Sequence, residues 1–134
     1  MRVAIDAREL RGEPTGVGRY LAGLLDAWET LPAAQSHEFV LCTPGPIERA
    51  GRGVRTVVRQ GAIGKAGTAW EQLTLPALVR EIGANVLFAP AYTGPVFCPV
   101  PLVVAIHDVS FAARPEWFAP REGLRRRILA WLVA

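Results

Sequence analysis

Cysteine is scarce in this 134-residue chain, and the two that occur, Cys42 and Cys98, stand singly in apolar surroundings with no CxxC spacing and no neighbouring histidine. That argues against a zinc site or a disulfide framework and predicts buried, reduced thiols, which favours the cytoplasm. Long apolar runs are missing as well. None approaches the roughly 20 residues that span a bilayer, and Met1-Arg2-Val3 leads directly into a strand pattern instead of a signal peptide. No sign of charge dominates: the formal charge is +3 and the pI near 9.4, with Lys and Arg interleaved with Asp and Glu except at Arg125-Arg126-Arg127. Nucleic acid is therefore a poor partner on charge grounds. Internal repeats and low-complexity tracts are absent too.

What the chain does have is apolar content, 51% of its residues, enough for one packed domain over residues 1–134 and too little length for two of ordinary size. Its last segment, Arg125 to Ala134, has an amphipathic helical pattern that stops on apolar residues without a glycine cap. The expectation is a chain cut short, with part of any active site lying beyond it.

The elements follow from periodicity. Val3-Ala4-Ile5 is a strand ending at Asp6, and Thr15-Gly16-Val17-Gly18-Arg19-Tyr20 opens a helix whose apolar face is Val17, Tyr20, Leu21, Leu24, Leu25, Trp28 and Leu31. Pro32 ends that helix. Strands are predicted over His37 to Cys42 and Val54 to Val58, and a glycine-rich loop over Gly61 to Gly67. Thr68-Ala69-Trp70-Glu71 has the form of a capping box, with Trp70, Leu73, Ala77, Leu78 and Ile82 at helical spacing behind it. Pro76 predicts a kink or a restart from Thr74, and Gly83 the residue just past the helix end. Val86-Leu87-Phe88 and Pro101 to Ile106 are runs without polar alternation, as in parallel strands covered on both faces. The order predicts an α/β fold, an open, mostly parallel Rossmann-like sheet flanked by helices.

In such a sheet ligands bind outside the carboxyl ends of the strands. Asp6 with the glycine turn, Tyr92-Thr93 and His107-Asp108 all fall there. Gly16 to Gly18 at a helix start can offer backbone N–H groups to a phosphate, or can simply let the helix pack closely. A dinucleotide fingerprint is not met, because Leu21 stands at the third glycine position and no acid follows the second strand; a Walker Gly-Lys-Ser/Thr is missing also. His107 can orient a sugar hydroxyl or can be tied structurally to a backbone carbonyl. Trp70, Trp117 and Phe118 read as anchors in the core or in loops. The arginine run reads as a solvated helix face or as a contact with an anionic membrane surface.

Taken together, Ile5-Asp6-Ala7-Arg8, Thr15-Gly16-Val17-Gly18-Arg19-Tyr20, Trp70-Glu71-Gln72 with Leu75-Pro76, Ile106-His107-Asp108-Val109-Ser110-Phe111 and Pro115-Glu116-Trp117-Phe118 resemble the amino-terminal half of a family 4 retaining glycosyltransferase. The resemblance implies a two-domain GT-B architecture in which this half mainly binds the acceptor and an absent carboxyl-terminal domain grips a nucleotide-sugar donor. It implies that Gly16, Val17 and Gly18 lie near the donor diphosphate and that His107, the candidate catalytic residue, positions the transferred sugar. On the acceptor side the candidates are Arg19, Tyr92, Thr93, Asp108 and Ser110. The implied partners are a nucleotide sugar and a glycan or lipid-linked acceptor, with no metal and no other cofactor, in a cytoplasmic protein with contact to a membrane surface. The alternatives are another Rossmann-like nucleotide-binding enzyme or a noncatalytic interaction module.

Overall fold

The computed structural model describes residues 1–13, 16–48, 54–61 and 67–107. Five strands, β1 (Arg2–Asp6), β2 (Glu38–Thr43), β3 (Arg55–Val58), β4 (Val86–Ala89) and β5 (Leu102–Val104), form one sheet in the order β3-β2-β1-β4-β5. All four pairings are parallel, with Ile5 opposite both Leu41 and Phe88 at the centre. This is a Rossmann-like α/β arrangement, and its strand order reverses at the boundary between β1 and β4.

Alternation along the strands builds two cores. Val3 and Ile5 of β1, with Leu41 of β2, face the helix α1 (Gly16–Thr30) and its Leu21 and Leu25. Ala4, Val40, Cys42 and Leu87 face the other way, against Trp70, Leu75, Leu78 and Val79 of the second helical stretch. Each large side chain so buried contributes about 1.5–3 kcal/mol before its ordering entropy is subtracted. Helices therefore sit on both faces, which is why neither β1 nor β4 alternates with polar residues.

The second helical stretch departs from simple helical spacing. Trp70–Thr74 is a π-helical turn, and α2 (Leu75–Glu81) follows it with Pro76 in its first turn. Proline carries no N–H, so the regular ladder is broken at this point and an extra residue enters the turn. The extra residue rotates the pattern. Trp70 is followed on the core face by Leu75 and Leu78, while Leu73 is 64% exposed and Ala77 is exposed, contrary to the expected face. Gly83 ends α2 at φ 63°, with its N–H on the Arg80 carbonyl and the Ala84 N–H on that of Val79. This is a Schellman closure, where glycine relieves the left-handed strain.

Leu31 and Tyr20, expected on the core face of α1, are 49% and 41% exposed. Leu31 lies one residue beyond the helix end. Cys42 is buried as expected, whereas Cys98 is only half-buried; both are free thiols. The glycine-rich 62–66 stretch, Trp117, Phe118, the arginine run and the final helical pattern lie outside the described residues. Among the described residues no helix is long and apolar enough to cross a membrane.

Candidate functional site

The carboxyl ends of β1 and β4 carry a connected set of polar side chains. Asp6, at the end of β1, is 2% exposed. Its carboxylate receives both the Nε–H of Arg8, at 3.0 Å from each oxygen, and an Nη2–H at 2.6 Å. The same Arg8 nitrogen is paired with Glu71, which is 3% exposed. The Arg8 guanidinium also lies 5.5 Å from the Trp70 ring. Burial alone would lower the Arg8 pKa, but the charge and hydrogen bonds of Asp6, followed by those of Glu71, outweigh it and raise it. Arg8 is thus a permanent cation between two buried carboxylates.

Glu71 does not act as the capping acid that its position after Thr68 suggests. Its carboxylate accepts the Thr93 hydroxyl at 2.9 Å and the Gln72 amide at 2.8 Å in addition to Arg8. A carboxylate surrounded by donors within reach satisfies more lone pairs there than at one helix N–H. Gln72 in turn donates to the Gly94 carbonyl at 3.0 Å and accepts the Val96 N–H at 2.9 Å, and the Trp70 Nε1–H donates to the Arg59 carbonyl at 2.7 Å. Three consecutive residues, Trp70-Glu71-Gln72, therefore tie the segment after β3, the end of β1 and the connection between β4 and β5 to one another.

That connection is tightly held. A Cβ at Gly94 would lie 2.9 Å from Leu102 Cδ2, so any side chain there would have to displace the Leu102 methyls. Tyr92 has φ 64°, with the Thr93 N–H on the Ala91 carbonyl at 2.7 Å and the Tyr92 N–H on Ala105 at 3.2 Å. A bulky residue in this region costs about 1–3 kcal/mol and is retained where the surroundings over-determine it.

His107 closes the set. Its Nε2 lies 2.7 Å from the Pro90 carbonyl, and a carbonyl can only accept, so Nε2–H donates to it, and in the neutral ring Nδ1 is the acceptor. The Tyr20 ring meets the imidazole at 4.5 Å and 77°, and Tyr92 meets it at 5.5 Å and 75°. Tyr20 lies two residues beyond Gly18 in the first turns of α1, so the glycine turn and His107 stand on the same edge.

The residues singled out from sequence thus separate. His107, Tyr92 and the start of α1 come together; Thr93, expected to face an acceptor, turns inward to Glu71 at 7% exposure. Gly16 is exposed, and a Cβ there would meet nothing within 4 Å, so packing does not require a glycine at that position. Gly18 is buried, which suits the packing role, Val17 is half-buried and Arg19 is exposed. Acid is missing from the first turn of α1, so no side chain of that turn offsets its partial positive charge. Asp108 and Ser110 lie outside the described residues. Arg8, Glu71 and Tyr20 stand in the motifs that carry the sequence resemblance but are not among the candidate site residues read from it; their contacts appear only in the folded chain.

Away from this edge, an apolar groove of about 450 Å³ runs along α1 over Val3, Trp28, Phe88 and Val103, reaching Tyr20 at one end. Among the described residues no group of three or more His, Cys, Asp or Glu is placed to hold a metal ion. Comparison with known proteins assigns no family: no family model matches the chain, and no curated protein or solved structure matches it.

Proposed function

We propose that this chain forms the acceptor-side wall of a retaining glycosyltransferase that uses a nucleotide-sugar donor. One observation carries the reading: at the β1/β4 reversal, an acid-free, glycine-led helix start and a histidine anchored through Nε2 on the Pro90 carbonyl are held together through Tyr20. The first suits a diphosphate and the second a sugar hydroxyl. The family 4 resemblance of the sequence adds the order in which these parts occur.

On this reading the Gly16 to Gly18 amides stabilise negative charge on the departing nucleotide diphosphate. His107 positions the sugar and does not attack it. Arg19 and Tyr92 face the acceptor, a glycan or a lipid-linked sugar. Asp6, Arg8, Glu71 and Thr93 brace the wall and touch no substrate. The larger part of the donor grip, and with it turnover, belongs on this reading to a second domain in a GT-B arrangement.

Gly16 gives a cleaner test than Gly18, because a side chain at buried Gly18 also disturbs packing. Gly16→Val is expected to leave the thermal midpoint unchanged and to weaken UDP-glucose or GDP-mannose binding by about tenfold, read by calorimetric titration; each tenfold corresponds to roughly 1.4 kcal/mol of lost amide contact. Unchanged affinity would return the glycines to a packing role. The strand order also suits a dinucleotide enzyme, and tighter binding of NAD than of any nucleotide sugar would favour that class.

A further inference from the structure

The reading above gives His107 a task, yet a histidine at the open rim of a sheet has two freedoms that would spoil it. Its ring can rotate, and its proton can move between nitrogens. Each freedom is met by a contact on a different element.

The Pro90 carbonyl, just past β4, fixes the proton on Nε2. Tyr20, from α1, and Tyr92, from the β4–β5 connection, meet the imidazole nearly perpendicular to its plane, at 77° and 75°. Perpendicular aromatic contacts at 4.5 and 5.5 Å set the ring plane, because rotation about the side-chain bonds would break both. Tyr20 is 41% exposed although it stands at a core-facing position of α1, so little of its ring is used in the core. Tyr92 reaches the histidine only from a left-handed backbone that bulky residues avoid. Nδ1 has no hydrogen-bond partner among the described residues.

We propose that Tyr20 and Tyr92 are positioning residues that hold His107 with its proton on Nε2 and its Nδ1 lone pair open, so that the site recognises a neutral hydroxyl donor and not an anion. The inference rests on the glycosyltransferase reading for its ligand, a sugar hydroxyl, but its geometric core stands without any ligand. In its neutral form an imidazole so held offers only an acceptor to the cleft, which a sugar O–H satisfies and which repels a phosphate or carboxylate oxygen. The anionic part of the donor is then left to the amides of α1, and the two ends of a nucleotide sugar are told apart.

The test is long-range proton–nitrogen NMR on the full chain labelled at histidine, with His37→Gln removing the second histidine signal. The wild type is expected to show a protected Nε2-bound proton and a pyridine-type Nδ1. Tyr20→Leu keeps the helix apolar, and Tyr92→Gly suits φ 64° without strain, so both variants fold. Each is expected to speed exchange of the Nε2 proton by roughly two- to tenfold, the equivalent of one aromatic pair, while Tyr20→Phe retains wild-type exchange. Wild-type protection in Tyr20→Leu and Tyr92→Gly overturns the proposal.

A ligand arm separates this from the function itself. UDP-glucose or GDP-mannose is expected to shift the Nδ1 resonance, and UDP or GDP alone is not. Equal shifts from the sugar-free diphosphates overturn the hydroxyl preference. Protected Nε2–H in the wild type with no response to any nucleotide sugar overturns the glycosyltransferase reading and leaves the positioning roles in place.

Discussion

Arg8 shows how far a single side chain can organise this edge. It is 12% exposed and sits between Asp6 and Glu71, so its removal would leave two carboxylates buried without their cation. Breaking a buried pair in this way costs about 3–5 kcal/mol, and Arg8→Ala is expected to lower the unfolding free energy by that amount in a urea titration. A change under 1 kcal/mol would mean that water enters the cluster freely. Spacing alone reads Glu71 as a helix-start acid, because it reports local partners, whereas Arg8 and Thr93 lie 63 and 22 residues away. Cys42 gives the residue-scale pH dependence. Desolvation by burial, then the Asp6 charge, pushes its thiol from 9.0 up to about 12. A raised folded pKa means that stability is fully present below the unfolded value. As pH rises from 9.0 towards 12 the unfolded thiol loses its proton before the folded one. Stability is thus expected to fall by on the order of 1 kcal/mol per pH unit over that window, a slope that Cys42→Ala removes. The comparison is made by denaturant titration of both proteins at each pH.

At the scale of elements, α1 and the strands were readable because their periodicities are clean and their turn residues strong. The helical stretch before β4 was readable in its existence and its ends, from Pro76 and Gly83, but not in its face. The π-helical turn at Trp70–Thr74 adds a residue that no 3.6-residue pattern anticipates, and Leu73 is rotated into solvent as a result. The same turn lets Trp70, Glu71 and Gln72 reach three different segments, so the irregularity and the bracing of the site have one origin. In α1, Gly23 is exposed in the helix interior and a Cβ there would meet nothing within 4 Å. Gly23→Ala is expected to raise stability by about 0.5–1 kcal/mol in thermal or denaturant unfolding. A loss instead would contradict the reading of Gly23 as an open helix position.

For the molecule as a whole, the parallel α/β class and the gathering of candidate residues at the strand carboxyl ends followed from the alternation of apolar runs and helical stretches, while the strand order, and with it the β1/β4 reversal, came only with the folded chain. Tyr20 illustrates the gap: its spacing marked it as core, and tertiary placement against His107 makes it part of the site edge. The central claim is that a nucleotide sugar lies across this edge, its diphosphate on the α1 start and its sugar at His107. The most direct measurement is an amide proton–nitrogen NMR titration of the full chain with UDP-glucose and with GDP-mannose. The account predicts saturable shifts in at least one titration, at Gly16, Val17, Gly18 and His107, with the apolar groove beneath Trp28 and Phe88 unmoved. No saturable shift at those residues, or shifts confined to the groove, would contradict it.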